Sequence, residues 1–519
     1  MNNMRTEKKT SIKNSAGRLV FIVLLVLVQT IWLEILLFKL NTYSTVITFV
    51  LEIIAVFIAL KIYCTHVNAA QKMPWLIVIT AFPIVGVFIY LLFGRSVVTK
   101  GMRRRFNSIE KEVLSLNNQD ETIMDELEEK DLGIANQFRY VSNCVSYPVY
   151  KNTDIVYYSE ADKGFEAQLE ELKKAEKFIF MEYHAIEDAE SFARLKEILI
   201  NKAKEGVEVR IFYDDIGSIF FLNQDFIKYM REQGIQCRVF NPLKVVVNMF
   251  MNNRDHRKIT VIDGKVGFTG GYNLADEYFN ITHPYGYWKD TGIKVVGDAV
   301  RSLTASFLTM WNAIEKTDTD YEKYLNEYDD KFVSSDKDTF VQPYSDNPLG
   351  RERVGENVYL NIIKNAKRYL YITTPYLIIT DEMDRELSLA AKRGVDVRIV
   401  TPGIPDKKMV YKMTRSYYAP LVSDGVRIYE YTPGFMHAKQ WVCDDEIAVV
   451  GTINMDHRSL YLHFENACLV YGKGLAADVK KDLLDDFEIS AEVTDKYKSD
   501  NARKMSIGEC MLRLIAPLL

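Results

Sequence analysis

Two stretches of the chain repeat one spacing. His256, Lys258, Asp263, Gly270, Gly271 and Asn273 form the first, and His437, Lys439, Asp444, Gly451, Thr452 and Asn454 form the second. Both read H-x-K-x4-D-x6-G-[G/T]-x-N, in a chain with only seven histidines. One imidazole can attack phosphorus, a second can carry the proton, and lysine ammonium groups neutralise phosphate charge. Residues two apart on a strand face the same way. His256 therefore shares a face with Lys258, and His437 with Lys439. Two such faces meeting across a pseudo-twofold axis would place two histidines and two lysines around one phosphate.

Other residues extend each copy. Gly271, Asn273, Thr452 and Asn454 are expected to support the phosphate, through close backbone approach and through amide or hydroxyl donors. Asp290 and Glu465 occupy matching places in the two copies, and a carboxylate on the far nitrogen of a histidine fixes its tautomer and raises its basicity. Asp263 and Asp444 complete the motif and count with the catalytic set, although their turn positions suit a structural role. His66, His184, His283, His457 and His463 lack matching context and read as structural, with His457 and His463 close enough in sequence to line the pocket. No His/Asp/Glu cluster has metal-ligand spacing, so neither a metal nor a cofactor is expected.

The elements that must position these residues follow from a duplication. Ala203–Ile211 matches Ala391–Ile399 almost residue for residue, and Lys174–Phe180 resembles Asn365–Tyr371. The first pair is 188 residues apart (203 and 391) and the histidines 181 apart (256 and 437), the signature of a doubled domain rather than a solenoid. Each copy predicts a helix (near Phe165–Ala175 and Asn357–Ala366), a strand, a helix ending at Gly206 or Gly394, and a Val/Ile strand. The H-x-K segment then leads into Ile259–Ile262 or Gln440–Cys443 and a turn at Asp263-Gly264 or Asp444-Asp445. Alternating strands and helices predict an α/β sandwich in each half. The expected division is a membrane region at 1–105, a solvated helical linker at 106–145, a first lobe at 146–333, a linker at 334–350, a second lobe at 351–490 and an amphipathic tail at 491–519.

At 519 residues the chain is too long for one compact core. Its net charge of −5 gives no global field for nucleic acid. Six scattered cysteines contain no C-x-x-C pair and indicate neither zinc nor a disulfide framework. The first hundred residues carry apolar segments at Leu19–Phe38, Val46–Leu60 and Pro74–Phe93, long enough to engage a bilayer. Basic residues flank the set on both sides, Arg5 to Arg18 and Arg95 to Arg105. Placing both flanks in the cytoplasm requires two crossings. Pro83 and Gly86 make Pro74–Phe93 the segment expected to break and not cross.

The doubled H-x-K-x4-D pattern resembles the phospholipase D superfamily. Asn253–Ile259, Gly270–Asn273 with Glu277-Tyr278, Gly434–Lys439, the Pro74–Gly94 segment and the ending Arg513–Leu519 resemble bacterial cardiolipin synthases across about residues 70–519. The apolar segment Leu19–Phe38 departs from the common two-segment form. The resemblance implies two lobes of phospholipase D type and a membrane phospholipid substrate. It implies transfer between two phosphatidylglycerol molecules, giving cardiolipin and glycerol through a phosphatidyl-histidine. By the same analogy His256 is the nucleophile and His437 the acid and base. The setting implied is the bacterial cell membrane, multi-pass, with the lobes on the cytoplasmic side and no nucleic-acid partner. A hydrolase, or a transferase using another headgroup, is the alternative. The sequence sets no oligomeric state.

Overall fold

The computed structural model describes residues 45–65, 67–94, 100–242, 253–325, 332–498 and 506–518, with a few isolated positions between 27 and 39. The expected segment Leu19–Phe38 and His66 lie outside the described stretches.

Two sheets with the same strand order form the catalytic body. The first contains β1 (Thr153–Tyr158), β2 (Phe178–Tyr183), β3 (Glu208–Asp214), β4 (Gln236–Phe240), β5 (Lys258–Ile262), β6 (Val266–Gly270) and β7 (Gly292–Gly297). Its order is β1-β7-β6-β5-β2-β3-β4. The second contains β8 (Phe340–Asp346), β9 (Tyr369–Thr373), β10 (Asp396–Pro402), β11 (Arg427–Tyr431), β12 (Gln440–Cys443), β13 (Ile447–Gly451), β14 (His463–Tyr471) and β15 (Ser490–Glu492). Its order is β8-β14-β13-β12-β9-β10-β11-β15, the same path with one antiparallel strand added at the edge. In both sheets the first four pairings are antiparallel and the next two parallel. The sheets are thus mixed. The parallel β2–β3 and β9–β10 pairings need crossovers, which the helices Glu190–Lys204 and Asp381–Lys392 supply. Both helices run out into a glycine at positive φ, Gly206 at 94° and Gly394 at 92°, as the sequence predicts.

The N-terminal helices are α1 (Thr45–Tyr63), α2 (Ala69–Ala81) and α3 (Pro83–Phe93). The predicted break in Pro74–Phe93 falls at Phe82, with Pro83 starting α3, where a missing N–H costs nothing. Gly86 packs against the α2 backbone; a Cβ there would lie 2.4 Å from the Val78 oxygen. Among the described residues, no helix is long and apolar enough to cross a membrane.

Two expectations change here. Residues 106–145 are helical but not a solvated linker: Phe106, Ile109, Val113, Leu127, Phe138 and Val141 are buried in the core shared by both sheets. Their apolar positions recur at helical spacing, and dense charge between them conceals that stripe. Residues 334–350 are not simply a linker either. Within them β8 is wholly buried and pairs with β14 along its length. Its Ser, Asp and Pro content reads as loop, yet Pro343 is tolerated on an edge strand, where no ladder donor is required. Between the sheets runs α4 (Val300–Ile314), buried from Ser302 to Ala313, with Phe307 stacked on Phe180 at a 4.7 Å centroid separation.

The motif aspartates close the hairpins. Asp263 and Gly264 lie at φ 52° and 67°, and Asp444 and Asp445 at 55° and 64°. The Asp263 carboxylate accepts the backbone N–H groups of Glu176, Lys177 and Phe178, each at 2.8 Å. Asp444 accepts those of Lys367, Arg368 and Tyr369 at 2.7 to 3.0 Å. Each carboxylate ties the hairpin to the start of the neighbouring strand. Contrary to their place in the catalytic set, both stand at the far end of β5 or β12 from the histidine. Asp263→Ala strands three backbone donors and is expected to cost about 1–3 kcal/mol. A thermal melt in detergent should show a lowered midpoint, while turnover per folded molecule stays within about twofold; loss of turnover with an unchanged midpoint would return Asp263 to the chemistry.

Candidate active site

Each motif histidine enters the site on a backbone borrowed from the other lobe. Arg254–Asp255 pairs in parallel with His463-Phe464 at the start of β14, and the His256 N–H donates to the Phe464 oxygen at 2.8 Å. Gly434–Met436 pairs in parallel with Tyr287–Lys289, and the His437 N–H donates to the Lys289 oxygen at 2.7 Å. The residues that directly follow those paired segments supply the carboxylates. His256 Nδ1 meets Glu465 Oε2 at 2.9 Å, and His437 Nδ1 meets Asp290 Oδ2 at 2.5 Å. The sequence predicts these two carboxylates without saying which histidine each one meets. The structure crosses them.

The crossing leaves Nε2 of each ring for chemistry. Both histidines line one cavity of about 590 Å³. Lys258 and Lys439 are buried beside them; Lys258 Nζ donates to the His256 carbonyl at 2.5 Å, and Lys439 Nζ donates to the His437 carbonyl. The expected phosphate supports divide. Gly271 backs Asp290 instead: a Cβ at 271 would sit 2.0 Å from Asp290 Oδ1. Thr452 gives its hydroxyl proton to Glu465 Oε2 at 2.5 Å. These two residues seat carboxylates. Asn273 lines the cavity but is committed, accepting from the Ala185 N–H and donating to the Tyr278 hydroxyl. Asn454 also lines it, and its buried carboxamide oxygen has no partner.

The two rings have different neighbours. His437 sits among aromatic rings, with Trp288 at 5.1 Å, Tyr278 at 5.3 Å and Phe435 at 5.8 Å between centroids. His256 sits among imidazoles, His184 at 5.0 Å and His463 at 5.4 Å. His184, His457 and His463, read from sequence as structural, all line the cavity, as do Arg254 and Arg458. Arg254, His457, Arg458 and His463 stand close to motif residues in sequence, as expected of His457 and His463, whereas His184 comes from a distant segment that no local spacing could reveal. The ligand atoms of His256, His463 and Glu465 lie within 4.8 Å of one another, a set able to hold a metal that the sequence reading missed because it spans both lobes. The charges of Lys258 and Lys439 oppose a cation there.

Burial sets the protonation states. It pushes His256 well below the usual imidazole range, helped by Lys258 and the other cations nearby. It pushes His437 down to about 3, with Lys439 adding and Asp290 opposing. It brings Lys258 to about 8 against the pull of Glu465 and Asp290. It brings Lys439 to about 7, where Lys258 adds to the shift and Asp290 opposes it. Burial would raise Asp290, but His437 and Lys439 overcome it and hold the carboxyl below its ordinary value. The site therefore keeps two neutral imidazoles and two lysines poised to gain or lose charge near neutrality, an arrangement suited to an anionic phosphodiester.

A family model described as "Cardiolipin synthase, PLD-like domain" matches residues 169–311 and 359–487, which contain both motifs and both carboxylates. The chain belongs to the cardiolipin synthase family of phospholipase D-like enzymes. It is a phosphatidyltransferase of the cardiolipin synthase type. A second model, "Phospholipase_D-nuclease N-terminal", matches residues 50–95. The chain is 34% identical to a cardiolipin synthase of Alkalihalophilus pseudofirmus over 91% of its own length and 93% of that protein. It is 33% identical to cardiolipin synthase 2 of Bacillus cereus over 90% of each. Among solved structures, a phosphatidylserine synthase of Haemophilus influenzae superposes with a TM-score of 0.57 at 15% identity, covering 74% of this chain and all of that one, a likeness of fold.

Gly271→Ala should push Asp290 off His437 and lower kcat by about 10²-fold or more with the fold retained, since general acid–base catalysis contributes that much. Unchanged turnover in a correctly folded Gly271→Ala protein would show that the Asp290 contact is dispensable. The pH dependence has a definite sign. Lysine charge that attracts the phosphodiester is present below about 7 for Lys439 and about 8 for Lys258, and is lost above. Hence kcat/KM should fall as pH rises through this range; a profile that climbs through it would contradict the arrangement.

Proposed function

We propose that the protein joins two phosphatidylglycerol molecules into cardiolipin and glycerol, and that the crossed histidine–carboxylate pairs around one cavity carry the reaction. The assignment of roles rests on the asymmetry between the rings. His256, kept neutral by burial and by the nearby Lys258 ammonium, attacks phosphorus through Nε2. A nitrogen–phosphorus bond forms and the bond to glycerol breaks. When the anionic phosphodiester binds, His437 takes up a proton from solvent, its imidazolium supported by the 2.5 Å contact with ionised Asp290 and by the bound phosphate, and it donates that proton to the departing glycerol oxygen. His437 then takes the proton from the terminal hydroxyl of a second phosphatidylglycerol. That oxygen attacks phosphorus, the bond to His256 breaks, and cardiolipin leaves. Lys258 and Lys439 offset the charge on the phosphoryl oxygens in both steps. Asn454 faces the same space with an unpaired acceptor suited to a glycerol hydroxyl.

Transfer rather than hydrolysis follows from the surroundings. Ile216, Phe221, Ile378, Met409, Val410 and Met413 give the cavity an apolar side, which excludes water and accepts lipid. The proposed setting is the bacterial cell membrane with the lobes on the cytoplasmic face. Phe49, Ile53, Val56, Phe57 and Leu60 of α1 are exposed apolar side chains that support an N-terminal membrane seat. The multi-pass arrangement and the division at residue 105 belong to the same proposal.

Product analysis tests the reading. Purified protein given phosphatidylglycerol alone should yield cardiolipin and glycerol in equal amounts, and His256→Ala and His437→Ala should each reduce this by at least about 10³-fold. Phosphatidic acid without cardiolipin would replace the synthase reading with a hydrolase. Substantial activity in either variant would break the shared site.

A further inference from the structure

We propose that the mouth of the cavity is a bilayer-docking face, built by the C-terminal helix and the basic helix beside it, and that it seats on an anionic phospholipid surface. The inference rests on the phospholipid chemistry above and adds a place where the lobes themselves meet the membrane, apart from the N-terminal helices.

The first observation is a helix turned the wrong way for water. Ile507–Ile515 (α6, after α5, Lys408–Ser416) exposes Ile507, Cys510, Met511 and Ile515, positions that fall on one face at helical spacing. Ile507 is 83% exposed and Met511 63%. The opposite side is already docked: Leu512 packs on the core, and the Arg513 guanidinium lies 3.9 Å above the Tyr417 ring. A helix apolar on the side away from the core needs an apolar medium on that side.

The second observation is position. Ala516, directly after α6, lines the catalytic cavity. So do Lys407, Met409, Val410 and Met413, from α5 and the residue before it. The helices α5 and α6 pack together, and α6 also packs on α2. The exposed stripe is therefore continuous with the cavity rim on one side and with the apolar N-terminal helices on the other.

The third observation is charge. On α5 and the residue before it, Lys407, Lys408 and Lys412 are exposed around Met409, itself 50% exposed. An apolar residue ringed by ammonium groups is the pattern of an interfacial helix on an anionic leaflet. A water-soluble protein partner would also fit an apolar stripe, but the continuity with the cavity and the lysines favours lipid carrying the same headgroup as the substrate. Seated this way, the cavity opens at the level of the headgroups, and acyl chains need not leave the bilayer.

Cys510 gives a direct test in the full-length protein. With Cys64→Ser and Cys144→Ser it becomes the only exposed thiol among the described residues. A polarity-sensitive fluorophore on it should shift to the blue and be quenched by brominated lipid when the protein is reconstituted in phosphatidylglycerol vesicles. A label that remains water-like and unquenched overturns the proposal. Activity gives the second measurement. Ile507→Asp with Met511→Asp should cut product from long-chain phosphatidylglycerol vesicles by about tenfold or more, while conversion of dihexanoyl phosphatidylglycerol in solution stays within about twofold. Equal loss on both substrates, or on neither, overturns it. If the unaltered protein forms no cardiolipin from either substrate, the functional reading fails, and the quenching of the Cys510 label still decides the docking face.

Discussion

A buried imidazole is useful only if its ring is held in one tautomer, and here that hold comes from across the molecule. Glu465 of the second lobe orients His256, and Asp290 of the first lobe orients His437. Neither motif histidine takes its carboxylate from its own lobe. The short parallel pairings of Arg254–Asp255 with β14, and of Gly434–Met436 with Tyr287–Lys289, are what make the exchange possible. The large shared core, with α4 buried between the sheets, fixes the distance over which the exchange operates. A small rotation between lobes would break both pairs together, so lobe packing and catalytic geometry are one constraint.

The electrostatics follow from the same enclosure. Two histidines and two lysines in a closed space repel one another, and desolvation adds to that cost. These groups answer by giving up protons. An anionic phosphodiester entering between the lysines reverses the balance, so charge on the protein and charge on the substrate favour each other. The duplicated lobes are alike in strand order but not around the rings. Aromatic walls and a short carboxylate contact surround His437, while imidazoles and a longer carboxylate contact surround His256. That difference supports the separate chemical tasks proposed for the two motif histidines.

The motif residues also differ in the work they do. The histidines line the cavity and the lysines lie buried beside them. The aspartates Asp263 and Asp444 hold three backbone donors each at the opposite strand end. Gly271 and Thr452 solve one problem by opposite means: the glycine leaves room for Asp290, and the threonine gives Glu465 a hydrogen bond. A common spacing thus reflects a common fold of the hairpin as much as common chemistry.

By itself the sequence determined the doubled architecture, the helix stops at Gly206 and Gly394, the break at Pro83, and the four groups His256, Lys258, His437 and Lys439. These are local matters of periodicity, backbone preference and spacing, and a repeat prints each of them twice. It also named Asp290 and Glu465, because the duplication aligns them. It could not say that they exchange partners, since identical neighbours in two copies carry no information about which copy they face. Nor could it find β8 in a polar stretch, the burial of the stripe in 106–145, or the entry of His184 into the cavity. Those depend on contacts between residues far apart in the chain, and only the packing of one lobe against the other brings such residues within reach.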